Sequence, residues 1–192
     1  MVITSKEHIS NSKKGVDNLL YEVRSLLEDV DERSLNMPEN INKWSILQCL
    51  KHMSFAIEVY NKNIKEALDS GRHKVPAPNF KSHWKGDMFT KMISPKPNGE
   101  VSRPMRTFSS MNPVQILNPE IVVNEFFTLY EEFGALIERS AEYNLNSIKI
   151  NTALGPLVKL RLGDAYRFVI GHAERHLVQL KRIKASLNQV AA

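Results

Sequence analysis

The chain has 192 residues, 42% hydrophobic and 24% charged, with a net charge of +5 and a single cysteine, Cys49. That length suits one domain, 1–192, able to bury a sizeable core, and one cysteine excludes an internal disulfide framework, so a reducing cytoplasm is the expected compartment. No apolar run approaches the ~20 residues needed to cross a bilayer, and Met1 to Asn11 lacks the apolar core of a signal peptide.

Helical periodicity appears first from about Ser5 to Val30, where Leu19, Leu20, Val23, Leu26, Leu27 and Val30 recur at three and four. Thr4 and Glu7 are spaced to close its start. A second helix is expected from Ser45, whose Ser-Ile-Leu-Gln is a capping box, to about Leu68, with Asp69-Ser70-Gly71 as its stop. Between Gly71 and Asn118 stand six of the nine prolines, so this long stretch is no continuous helix. It also carries eight basic side chains (including Arg103 and Arg106) against Asp87 and Glu100, which leaves the remainder near neutral. A third helix opens at Asn118-Pro119-Glu120, a cap, a proline at the first helical position and an acid suited to the helix dipole; it runs to about Tyr143. A fourth covers about Leu160 to Asn188, although no capping residue precedes it and Gly163 lies in its first turn. Four amphipathic helices and no evident hairpin predict an all-α, four-helix bundle with a long crossover, 71–118, between helices two and three.

On the fourth helix, Leu162, Tyr166, Val169, Ala173, Leu180, Ile183 and Leu187 fall in one stripe, and His172 and His176 lie within it, one turn apart. A buried imidazole without a partner loses roughly 1–3 kcal/mol. Two rings at i and i+4 resolve this either by chelating a metal together or by hydrogen bonding to separate neighbours. His52, two turns into the second helix, stands roughly 130° from that helix's main apolar stripe, on a second apolar face with Cys49, Phe55, Ala56 and Val59. Three neutral imidazoles with an open position form a common metal site, and imidazole suits zinc, nickel, copper or iron. A zincin is excluded because residue 173 is alanine where that motif needs glutamate; the Glu-x-x-His pairs of a di-iron bundle are absent too.

Two motifs resemble those of the DinB-like (YfiT-like) metalloenzymes. Asn42-Lys43-Trp44-Ser45-Ile46-Leu47-Gln48-Cys49-Leu50-Lys51-His52 is similar to that family's Trp-Ser opening of helix two, with its metal histidine eight residues after the tryptophan. The turn Leu154-Gly155-Pro156, followed by His172-Ala173-Glu174-Arg175-His176-Leu177-Val178-Gln179, is similar to its glycine turn and His-x-x-x-His-x-x-Gln. The resemblance extends over about Ser5 to Asn188. It implies His52, His172 and His176 as ligands of nickel or zinc, a small-molecule substrate such as a low-molecular-weight thiol, a transferase or hydrolase reaction, and a homodimer as an open option. It names no catalytic residue, and the 71–118 crossover is its least matched part.

Other residues have plainer readings. Trp44 is expected to seal the start of its helix, Cys49 to act as a small buried hydrophobe, and Gln179 either to pack or to hold a histidine. His73 and His83 are expected in solvent. Phe80, Trp84, Phe89 and Phe108 interleave with the crossover's cations, a mixture suited to an anionic-substrate pocket or to a weak, sequence-independent grip on nucleic acid. Confinement of the charge to one loop argues against nucleic acid. The remaining alternative is a bundle that binds metal without catalysis.

Overall fold

The computed structural model describes residues 1–28, 30–40, 43–101 and 107–190; Asn42, Arg103, Pro104 and Arg106 of the sequence reading lie outside the described residues. Four long helices carry the fold: α1 (Ser5–Glu28), α2 (Ile46–Asp69), α4 (Pro119–Arg139) and α5 (Leu162–Val190). They match the four expected segments, with ends displaced by a few residues. The capping box of α2 has both its bonds: the Gln48 amide donates to Ser45 Oγ at 3.2 Å, and the Ser45 amide donates to Gln48 Oε1 at 3.0 Å. Asn118 caps α4 through the Ile121 amide at 3.0 Å, with Pro119 opening the helix.

Each long helix packs on two others, α1 on α4 and α5, α2 on α4 and α5. Helices α1 and α2, consecutive in sequence, therefore stand across a diagonal. One core fills the space between them, with Val23, Leu50, Ile57, Phe126, Phe133, Tyr166, Leu180 and Ile183 all essentially inaccessible. Helix α2 is buried on its second face too, at Cys49, His52 and Ala56, because that face meets α5.

The crossover is more ordered than a proline-rich loop suggests. It contains a strand, β2 (Asn79–Lys81), paired antiparallel with an N-terminal strand, β1 (Val2–Thr4), in the register Ile3 to Phe80. It also contains a fifth helix, α3 (Trp84–Ile93), which packs along α5. Phe80 and Ile93 enter the core from this segment. Two glycines of α5 permit the approach. A Cβ at Gly163 would lie 2.5 Å from the Phe80 ring, and one at Gly171 would collide with the Ser94 hydroxyl.

The expectation of no hairpin is corrected. Strands β3 (Lys149–Thr152) and β4 (Gly155–Arg161) pair antiparallel between α4 and α5. Their Ala153-Leu154 turn lacks the Asn-Gly or Asp-Gly signature of a tight hairpin, and Gly155 takes the positive φ of 123° instead. Strand β4 also explains the missing cap of α5. The chain passes directly from Arg161 into Leu162, and the first amides are satisfied by main-chain carbonyls, Leu162 by Ile148 at 2.9 Å and Gly163 by Leu145 at 3.3 Å.

Candidate metal centre

Helix α2 presents His52 toward α5, and α5 presents His172 and His176 on successive turns. One ligand-type nitrogen from each of the three rings lies within 4.8 Å of the others. Ring centroids are 4.5 Å apart for His172 and His176, 4.8 Å for His52 and His176, and 5.4 Å for His52 and His172. His52 and His176 are buried, and His172 is the most accessible of the three. Among the described residues no carboxylate or cysteine joins the cluster.

The outward nitrogens show which face of each ring is free. His52 Nδ1 lies 3.0 Å from the Met111 carbonyl, and His176 Nδ1 lies 3.0 Å from Gln179 Oε1. Both partners are carbonyl oxygens, which only accept, so both Nδ1 atoms carry the proton and both Nε2 atoms keep a bare lone pair. His176 Nε2 then faces His172 Nε2 at 3.1 Å. The bare His176 nitrogen can be met there either by an N–H donated from His172 or by a metal ion shared among the rings.

A protonated, positively charged ring is disfavoured here. Burial lowers the pKa of all three rings, with the neighbouring imidazoles adding to the effect at His172 and His176; His176 is brought down to about 3 and His172 well below the usual range. The rings are therefore neutral at physiological pH, as ligation requires. A divalent metal ion suits this donor set.

Other residues named from the sequence fall around the centre in distinct ways. Trp44 packs its ring 4.7 Å from His52 and stacks at 6.3 Å over His176, so it seals the helix start by covering the histidines. Cys49 is fully buried, and burial pushes its thiol far above the ordinary range. Its Sγ sits 3.5 Å from Nδ1 of His176, the nitrogen turned away from the centre, which removes it from the ligand set. Glu174 is exposed and lines a small cavity against α1, away from the rings. His73 is exposed; His83 is half-buried and caps α3 by accepting from the Lys85 amide at 3.3 Å, so it is not the free solvent residue expected. Neither joins the cluster. Of the crossover aromatics, Phe80 is buried, Phe89 packs on the core, and Trp84 and Phe108 are exposed. The Met111 carbonyl was not foreseeable: a backbone group in a single 3-10 turn, Ser109–Met111, leaves no mark in residue types.

Fold and site together define an all-α bundle with a three-histidine cluster between two of its helices. The family model described as DinB superfamily matches residues 17–180, and the chain belongs to that superfamily. Among solved structures it is similar to YfiT from Bacillus subtilis, described as a probable metal-dependent hydrolase with an unusual four-helix bundle topology. That likeness has a TM-score of 0.59 at 11% identity, covering 95% of this chain and 89% of YfiT, and it speaks to the fold. No curated protein matches significantly. Among the described residues, no helix is long and apolar enough to cross a membrane.

Proposed function

We propose that this chain is a metal-dependent enzyme in which His52, His172 and His176 hold one nickel or zinc ion. The observation that carries the reading is the convergence of three imidazoles from two helices, one nitrogen of each within 4.8 Å of the others. At an open position such an ion lowers the pKa of a thiol or water and so supplies a nucleophile at neutral pH. The chain's own part is positioning. Met111 and Gln179 fix two tautomers and aim both rings inward, burial keeps the imidazoles deprotonated, and Trp44 shields the rings from water on one side.

A low-molecular-weight thiol conjugated to a small electrophile fits this chemistry, as does hydrolysis, the activity suggested for YfiT. Metal analysis of purified protein should find about one transition-metal ion per chain. A screen of thiol conjugation and ester or amide hydrolysis then tests for turnover. A chain that takes up neither nickel nor zinc would sink the proposal; uptake with no turnover in either screen would leave a metal-binding bundle without catalysis.

A further inference from the structure

A second concave site lies at the other end of α5's buried half, where its first turn meets α3 and the β3–β4 hairpin. It is a cleft of about 370 Å³, lined by Lys85, Lys149, Lys159, Arg161, Leu157 and Asp164 among others. Asp164 and His172 are eight residues apart, about 12 Å along the helix, so the cleft is separate from the histidine cluster.

The cations of this cleft are arranged against their own electrostatic interest. In the hairpin register Lys149 stands directly opposite Arg161, and Asn151 opposite Lys159. Residues two apart share one face of a strand, so Lys149, Lys159 and Arg161 project from one face while Ile150 and Leu160 fill the core on the other. Like charges directly opposite destabilise a hairpin. The fold needs only the apolar face, and neutral polar residues would serve as well on the outer one.

None of Lys85, Lys149, Lys159 and Arg161 makes an ion pair among the described residues, whereas cations elsewhere do, such as Lys51 with Glu125 and Arg139 with Asp69. The single lining acid, Asp164, is already engaged: Oδ2 accepts from the His83 amide at 3.1 Å, and Oδ1 lies 3.5 Å from Arg167. Opposite the hairpin, the wall is the start of α3 (His83, Lys85 and Gly86), whose dipole adds positive potential.

We propose that this cleft binds a soluble, multiply charged anion, a small molecule carrying a diphosphate or similar phosphoryl group. Arg161 donates to the Lys81 carbonyl at 3.3 Å and Lys85 lies over the Trp84 ring, but none of the four cations has an acidic partner among the described residues. A concave site of this kind with a helix start facing it selects compact charge over an extended polymer. The ligand relieves the repulsion between Lys149 and Arg161, and it ties the hairpin to α3.

Titration calorimetry and thermal unfolding of the metal-loaded full chain with sodium pyrophosphate, against sodium chloride at matched ionic strength, test the assignment. Pyrophosphate should bind one-to-one and raise Tm, and Lys149→Gln with Lys159→Gln should weaken binding by at least about tenfold. Both positions are exposed, so the variant should fold, which an unchanged Tm without ligand would verify. A pyrophosphate response that survives in this variant but disappears in His52→Ala would place the anion on the metal and overturn the proposal. No response in the parent chain would also overturn it. So would binding to phosphatidylcholine vesicles containing phosphatidylglycerol, or to a single-stranded oligonucleotide, without any response to pyrophosphate.

Discussion

His8 and the His52–His172–His176 group both place imidazole inside the bundle, and burial lowers the pKa of every ring, yet the two regions use the side chain differently. His8 stacks on Phe80 with centroids 4.1 Å apart and holds the Gly163 carbonyl through Nε2 at 2.9 Å. Its polar requirement is met by one main-chain group, and it fastens α1 to the start of α5. In the cluster the main-chain and amide acceptors take the outer nitrogens, and the inner ones converge on each other. Burial and a lowered pKa do not separate a structural histidine from a ligand. The direction of the unprotonated nitrogen does.

The largest effect that can break this comparison is on metal content. Replacing any one of His52, His172 or His176 by alanine should lower occupancy from about one ion per chain to less than about a tenth, because two imidazoles chelate poorly. His8→Gln, His73→Ala and His83→Ala should leave the stoichiometry unchanged when measured by elemental analysis. Retained metal in all three cluster variants would show that these rings are as structural as His8.

Acid sensitivity should divide the regions next. His8 is held at about 4, below its ordinary value of 6.5, so between those limits the unfolded chain binds the proton and the folded chain does not. Its contribution is fully present above pH 6.5 and is lost as pH falls toward 4, by roughly 3 kcal/mol. In metal-free protein, His8→Gln should flatten the fall in Tm over that range, since glutamine can still donate to the Gly163 carbonyl and does not titrate. His176, lowered to about 3, acts in the same direction, so part of the acid lability should persist in this variant.

A smaller effect is expected at Gln179. Removing its amide in Gln179→Leu frees the tautomer of His176 and should weaken metal binding by about 10–100-fold, without the near-complete loss seen for a ligand. Competition with a chromogenic chelator measures it. An unchanged affinity would reduce Gln179 to packing. Smallest of all, limited proteolysis near Phe108–Asn112 should slow modestly on metal loading, because the Met111 carbonyl is bonded to His52. Equal rates with and without metal would uncouple the crossover from the site.

Much of the bundle was legible because its signals are local. The caps at Ser45 and Asn118, and the periodic stripes of α1, α2 and α5, depend on residues within a few positions of one another. His172 and His176 were legible for the same reason, a spacing of four on one helix. Hairpin β3–β4 was not, because its Ala153-Leu154 turn carries no hairpin signature, and helix α3 was not, because it is short and is held by packing on α5, far along the chain.

By itself, then, the sequence determined the four long helices, the core faces of α1, α2 and α5 and three candidate ligands, all properties of residue type at short spacing. The tertiary structure decided what no spacing encodes. It set the distance between His52 and the pair on α5, brought the Met111 carbonyl onto His52, turned Cys49 toward the wrong side of His176 and laid Lys149 opposite Arg161. The physical reason is range. Caps and periodicity act within a turn or two of helix, whereas the direction of a lone pair and the repulsion between two cations depend on which distant segments the core draws together.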